Sequence, residues 1–366
     1  MARRTAINGF GRIGRLTFRA LWVKRPDEIE VVAINDPTGA KTDALLLEFD
    51  SNYGRFPATI QSHQGHIQVD DTRIRVLHER DWTRLNWASL GVHTVLECSG
   101  AGTTRERAQA HLNAGARLVI ISAPARGDDA TLVMGVNHGD YRPGAHAIVS
   151  NGSCTTNCLA PVALVLEQRF GIKWGMLSTI HSYTNSQNIH DRAMSDPRMS
   201  RAGALNIIPT DTGAARALGR VIPALQGRFD GMAFRVPTPT VSAVDFVCET
   251  ARPVHRDDVI AAFRAASEDG PLKGILGVSD RPLVSMDFKG DERSAIVDLP
   301  STIVLASRIV KVVAWYDNEW GYACRLADLA VHTARADHAY GIDEAASVGL
   351  DDGSIEEVEE ASVPEL

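Results

Sequence analysis

The sequence is short of several things that would have decided its class at once. It has only five cysteines in 366 residues (Cys98, Cys154, Cys158, Cys248 and Cys324), with no C-x-x-C pair among them. A sparse, odd set without that spacing argues against a disulfide framework, a zinc knuckle or a thioredoxin-like pair. No metal is therefore expected, and a reducing, cytoplasmic compartment is. Apolar runs such as Leu118–Ile121 fall far short of the roughly 20 residues of a membrane span, and the start, Met1-Ala-Arg-Arg before Thr5-Ala-Ile, has no apolar signal core. Basic residues are missing from the C-terminal end. Beyond Arg335 there is no Lys or Arg but ten acids, from Asp337 to Glu365, so the net −7 of the chain becomes +3 for what precedes them. A body so close to neutral suits an anionic small-molecule substrate and does not announce a nucleic-acid or membrane partner. The stretch 337–366, acidic and poor in aromatics, reads as a flexible tail.

What remains is ordinary globular material, 44% hydrophobic and 23% charged, long enough for about two domains. Over the first 150 residues short apolar runs (Thr5–Asn8, Val31–Ile34, Val92–Glu97, Arg117–Ser122) alternate with helical patterns (Ile13–Val23, Leu45–Phe49, Thr103–Ala114). That alternation predicts βαβ units and a parallel sheet. Afterwards come longer β-rich runs, Ser178–Ser182, Gly231–Val236, Ser242–Thr250, Ala295–Asp298 and Val310–Tyr316, with helical patterns at Asp257–Ala266 and Glu319–Thr333. These suit a largely antiparallel sheet with one open face. Between them 183–206 is long, polar and without period, and a segment of that kind in a compact domain is usually functional.

Two motifs carry chemistry. Gly9, Gly11 and Gly14 form G-x-G-x-x-G after the first strand and at the opening of a helix. The first glycine allows a tight turn, the second lets the backbone approach a pyrophosphate, and the third permits close helix–strand packing. Asp36 stands at the end of the next strand, where an acid binds adenosine ribose hydroxyls and repels a 2′-phosphate. NAD is therefore expected. The second motif is Asn151-Gly-Ser-Cys-Thr-Thr-Asn-Cys158, in which Cys154 sits where small polar residues give way to the helical run Leu159–Leu166. A thiol at a helix N-terminus ionises more easily. Cys158, one turn inside, reads as packing. His181, in the run Leu177–Tyr183, is a candidate base, though twelve histidines make any one of them weak on sequence alone.

With these residues in view, the chain resembles the phosphorylating glyceraldehyde-3-phosphate dehydrogenases. The resemblance rests on Asn8–Arg15, Ala33–Asp36, Ser122–Pro124, Ser153–Pro161, His181–Asn185, Asn206–Pro209, Thr212–Ala215, Arg235–Pro239, Leu272–Gly277 and Trp315–Tyr322, in family order over about 1–335. It implies a Rossmann NAD-binding domain over 1–153, a catalytic domain with a mixed or antiparallel sheet over 154–318, and a helix at about 319–335 that packs back on the first domain. It implies that Cys154 attacks an aldehyde, that His181 takes the proton as hydride leaves, and that inorganic phosphate cleaves the resulting thioester. Gly9, Phe10, Gly11, Arg12, Ile13, Gly14, Asp36, Ser122, Asn318 and Tyr322 would bind the cofactor. Ser153, Thr155, Thr184, Arg198, Thr212, Gly213 and Arg235 would hold the substrate phosphate and the attacking phosphate. A homotetramer is implied as well.

The sequence departs from the family pattern in places. Ser186 stands where an aspartate is usual. Arg192-Ala193 replace a Leu-Pro pair that helps exclude NADP, so NADP stays open against Asp36. Asp211 puts a carboxylate beside an anion pocket. The stretches Arg281–Phe288 and Arg293–Asp298 resemble a branch associated with arsenate, in which arsenate is the attacking anion. Erythrose 4-phosphate as substrate, and a catalytically silent scaffold, are the remaining alternatives. The joint presence of Cys154, His181, Arg235 and Asn318 argues against the scaffold.

Overall fold

The computed structural model describes residues 2–24 and 26–342. The chain begins with β1 (Arg3–Asn8), α1 (Arg12–Lys24), β2 (Ile29–Asn35) and α2 (Ala40–Glu48). A short hairpin follows, β3 (Phe49–Asp50) and β4 (Gly54–Arg55). Then come β5 (Ile60–His63), β6 (His66–Val69), β7 (Thr72–Leu77), β8 (Thr94–Glu97), α3 (Arg105–Asn113), β9 (Leu118–Ile121), β10 (Ala130–Thr131) and β11 (Ile148–Ser150). Nine of these strands form one sheet in the order β10-β11-β9-β8-β1-β2-β7-β6-β5. Strands β10 through β7 in that order run parallel. The parallel sheet expected from the sequence has an antiparallel edge, because β5, β6 and β7 are joined by tight turns at Gln64-Gly65 and Asp70-Asp71, with Gly65 and Asp70 both at positive φ. The second helical run ends at Glu48, and Phe49 opens the hairpin.

The second half contains α4 (Cys154–Phe170), β12 (Ile172–Ser182), β13 (Ile208–Asp211), α5 (Ala214–Val221), β14 (Phe229–Val236), β15 (Ser242–Thr250), α6 (Arg256–Glu268), β16 (Leu276–Ser279), β17 (Ala295–Leu305), β18 (Ile309–Tyr316) and α7 (Trp320–Ala339). Its seven-stranded sheet runs β13-β14-β12-β15-β18-β17-β16. It is mixed, with β12–β14 and β16–β17 parallel and the other pairs antiparallel. One face packs against α4, α5 and α6 through Leu159, Leu166, Leu218, Phe263, Phe246 and Val312. The other face is open and partly apolar: Trp174, Met176 and Ile180 alternate along β12 at 41%, 55% and 38% exposure. No helix or strand occurs between Ser182 and Ile208. No helix is long and apolar enough to cross a membrane among the described residues.

The last helix returns to the first sheet. Leu326, Leu329 and Ala330 of α7 share a core with Phe18 and Leu21 of α1. A buried ion pair closes the circuit: Arg3 Nη1 lies 2.8 Å from Asp337 Oδ2, and the Tyr141 hydroxyl donates to Asp337 Oδ1 at 2.9 Å. Asp337 is thus a buried helical residue and not the start of a loose tail. Composition misplaced it because its partner, Arg3, lies at the other end of the chain. Residues 343–366 of the expected tail lie outside the described residues. Truncating one partner of a buried pair strands the other charge and costs about 3–5 kcal/mol. Asp337→Ala is therefore expected to lower the urea midpoint by that equivalent, far more than removal of the exposed partner in the Arg201–Asp191 pair.

Candidate active site

The glycine loop between β1 and α1 shows three different demands on its glycines. Gly9 has φ +89°, and a Cβ there would sit 2.4 Å from Ser99. At Gly14 a Cβ would sit 2.2 Å from the Gly9 carbonyl oxygen, so helix and turn touch. A Cβ on Gly11 would meet nothing within 4 Å, which leaves the backbone open to a bound group at the start of α1. The cleft of roughly 370 Å3 beside this loop is lined by Gly9, Gly11, Asp36, Arg80 and Trp82, among others. Asp36 Oδ2 accepts the Phe10 N–H at 2.8 Å, and Oδ1 accepts the N–H and hydroxyl of Thr38. Loop, acid and helix start therefore fit an adenosine diphosphate.

Not every loop residue faces that cleft. The Phe10 ring is in the core against Phe18, and its N–H is given to Asp36. Arg12 has its guanidinium clamped between Asp50 at 2.5 Å and Glu319 at 2.5 Å, leaving its backbone and that of Ile13 at the helix start. Ser122 follows β9 directly, and its N–H donates to the Glu97 carbonyl at 3.0 Å.

Cys154 is the first residue of α4. Ser153 caps the helix by accepting the Thr156 N–H at 3.0 Å. The Cys154 sulfur lies 3.4 Å from His181 Nε2. On the other side of the ring, Nδ1 is 2.7 Å from the Ser182 carbonyl, which can only accept, and 2.8 Å from Arg235 Nη1, which can only donate; with the hydrogen on Nδ1 and directed at the carbonyl, Nε2 is the acceptor. Arg235 is paired in register with His181 across β14 and β12, and its Nη1 stands 2.8 Å from Nδ1, a charge beside the ring. Burial and that cation push His181 down to about 4. Burial pushes the Cys154 thiol up, and Arg235 opposes it. The pair therefore rests as thiol and neutral imidazole, with a base ready for one proton.

Surrounding groups hold this pair. The Tyr316 hydroxyl contacts the hydroxyls of Thr155 at 2.9 Å and Thr179 at 3.0 Å, and its ring meets the His181 ring edge-on. The Thr155 hydroxyl is thus turned inward. Tyr322 is buried and donates to the Gly152 carbonyl at 2.8 Å, steadying the loop that presents Cys154. Asn318, also buried, accepts the Ser242 hydroxyl at 2.9 Å. Thr212 and Gly213 lie at the start of α5, and Thr184 follows β12, half-buried with its hydroxyl on Ser186. Arg235 has a buried Nε with no partner among the described residues. Arg198 lies apart: it is exposed, and its N–H is bonded to Asp196.

A family model for the glyceraldehyde 3-phosphate dehydrogenase NAD binding domain matches residues 3–105, and one for the C-terminal domain matches 153–318. The chain belongs to the glyceraldehyde-3-phosphate dehydrogenase family. It is 53% identical over 334 residues to the glyceraldehyde-3-phosphate dehydrogenase of Geobacillus stearothermophilus, covering 91% of this chain and 99% of the relative. To glyceraldehyde-3-phosphate dehydrogenase 1 of Bacillus subtilis it is 50% identical over 335 residues, 92% and 99%. To the Streptomyces coelicolor enzyme of the same name it is 49% identical over 331 residues, 90% and 98%.

Against this glyceraldehyde-3-phosphate dehydrogenase background, the departures have physical positions. Asp211 ends β13 with an exposed side chain. Arg192 and Ala193 are exposed in the irregular segment, where the Arg192 N–H is bonded to the Ser200 carbonyl. Sequence reading missed Arg80 and Trp82 of the cofactor cleft, and the Tyr316, Ser242 and Asp317 supports. Arg80 and Trp82 follow β7, after which no periodic helix comes before β8. The supports are single hydroxyls and a carboxylate without a motif.

The position of Arg235 sets a measurable dependence. Replacing it by Gln removes the cation that favours the thiolate, so the pH profile of Cys154 alkylation by iodoacetamide is expected to move to higher pH. At neutral pH the rate should fall several-fold. An unmoved profile would mean that Arg235 does not act on the sulfur.

Proposed function

We propose that this chain oxidises and phosphorylates glyceraldehyde 3-phosphate, with NAD as the hydride acceptor. The observation that carries the reading is the 3.4 Å contact of Cys154 Sγ with an acceptor Nε2 of His181 at the start of a helix, in a chain that also holds an open glycine loop and an acid at the next strand end. The relatives are named for the same substrate.

The chemistry follows from those atoms. His181 Nε2 takes the Cys154 thiol proton, and sulfur forms a bond to the aldehyde carbon, giving a hemithioacetal. The N–H groups at the start of α4 have no helical acceptor and can hold the developing oxyanion. His181 returns its proton to that oxygen, giving the hemithioacetal hydroxyl, and then as a neutral base takes the hydroxyl proton back while the carbon loses hydride, leaving a thioester. NAD supplies the acceptor for that hydride. Phosphate attacks the thioester carbonyl, the C–S bond breaks, and an acyl phosphate leaves with the thiolate restored. Arg235 and the Thr184, Thr212 and Gly213 groups would hold the two phosphates, and Asn318 would hold the nicotinamide carboxamide. Arginine suits the phosphate role because its fork donates bidentately.

The 1–153 and 154–318 halves act as cofactor and catalytic domains in this reading, in the cytoplasm. Asp36 favours NAD, and Arg192 is the group through which NADP would enter. Nothing favours the arsenate, erythrose 4-phosphate or scaffold alternatives: Leu283, Phe288, Ile296 and Trp315 of the arsenate-like stretches and their neighbourhood form a small core with Val241. Formation of reduced nicotinamide from glyceraldehyde 3-phosphate, assayed with phosphate or arsenate and with NAD or NADP, is expected to be fastest with NAD and to proceed with phosphate. Cys154→Ser should lose about 10^3-fold or more in kcat. No turnover in any of the four mixtures would sink the assignment.

The open face of the second sheet supports a homotetramer. Trp174, Met176, Ile180 and Met232 are large and apolar, and they share one side of β12 and β14. Such patches on soluble proteins mark association surfaces. Light scattering on the intact protein should give four chains, and Met176→Glu or Ile180→Asp should give a smaller species. A wild-type monomer would refute the tetramer.

A further inference from the structure

Three consecutive residues, Thr240, Val241 and Ser242, lead into β15 and bridge by hydrogen bonds the strand of the base and the segment of Asn318. Val241 is buried at φ +65°, a left-handed conformation that a β-branched side chain rarely adopts. Backbone held in that region against its preference is found where the surroundings over-determine it, often at functional sites. Here the twist lets successive groups meet two neighbours. The Thr240 hydroxyl donates to Asp317 Oδ1 at 3.0 Å. The Val241 carbonyl accepts the Ser182 hydroxyl at 2.9 Å. The Ser242 oxygen accepts the Ser182 N–H at 3.0 Å, so its own hydrogen needs an acceptor and finds Asn318 Oδ1 at 2.9 Å.

We propose that Ser242 is a positioning residue for hydride transfer: its hydroxyl fixes the Asn318 amide and ties it to the Ser182 peptide that orients His181. The inference rests on the reading above in which Asn318 binds the carboxamide of NAD. With Oδ1 committed to Ser242, the amide presents Nδ2 as a donor, the group a carboxamide oxygen requires. Ser182 works in both directions. Its carbonyl accepts from His181 Nδ1, and its N–H donates to Ser242. The base and the group that sets the nicotinamide ring face are therefore joined through one residue and one hydroxyl.

The test compares Ser242→Ala, Ser242→Cys and Asn318→Ala with wild type. Binding of NAD and of ADP-ribose, which lacks the nicotinamide, is measured by calorimetry. Transfer of deuterium from aldehyde-deuterated glyceraldehyde 3-phosphate to each face of the ring is measured by NMR. Loss of one oriented hydrogen bond should weaken NAD binding by about tenfold in Ser242→Ala. ADP-ribose binding should stay at the wild-type value, and label should appear on the second ring face. Ser242→Cys keeps the volume with a weak donor and should fall between; it carries the test if the alanine variant does not fold. Wild-type NAD affinity and single-face transfer in both Ser242 variants, with Asn318→Ala impaired, would overturn the proposal and leave the reading of the site standing. An equal loss of ADP-ribose binding would make the effect structural and overturn it too. Wild-type behaviour of Asn318→Ala would remove both the proposal and the reading beneath it.

Discussion

Much of the site depends on one buried carboxylate. Asp317 Oδ1 accepts from the hydroxyls of Tyr53 and Thr240 and from the N–H groups of Glu319 and Trp320, and Oδ2 accepts the Gly290 N–H. A buried carboxylate is tolerable only when its lone pairs are met, and these are met by groups from the first domain, the second domain and the start of α7. Asp317 therefore fixes how the two halves meet. Asn318, its neighbour in the chain, inherits that placement, and so does the helix whose Tyr322 steadies the cysteine loop.

Around that junction the work divides by chemistry. On the cofactor side, the open position at Gly11, the helix start and Asp36 suit a group with charge on its phosphates and hydroxyls on its ribose. On the other side, the sulfur and the imidazole are kept neutral by burial, with Arg235 close enough to favour loss of the sulfur's proton while disfavouring a second proton on the ring. A cation that lowers a neighbouring base also limits that base, and here the same cation has an orphaned Nε to offer an anion. An anion held by that guanidinium would link substrate binding to the protonation of the pair.

The parallel sheet of the first half was legible because its strands are short apolar runs separated by helical periods, and the glycine loop because its spacing is tied to a strand and a helix. The antiparallel edge was not, because β5 to β7 are short and mostly polar. Cys154 was legible from the change in texture around it. His181 was one histidine among twelve until β12 carried it to the sulfur.

The sequence by itself determined the class of chemistry: a thiol at a helix start, a dinucleotide loop and an acid at the next strand end are local patterns, each set within a few residues. Only the tertiary structure decided the partners of the His181 ring, the charge beside it, the burial of Asp337 against Arg3 and the connection from Ser182 to Asn318. Each of these joins residues far apart in the chain, and hydrogen bonds of that kind follow from sheet register and domain docking, which no local spacing encodes.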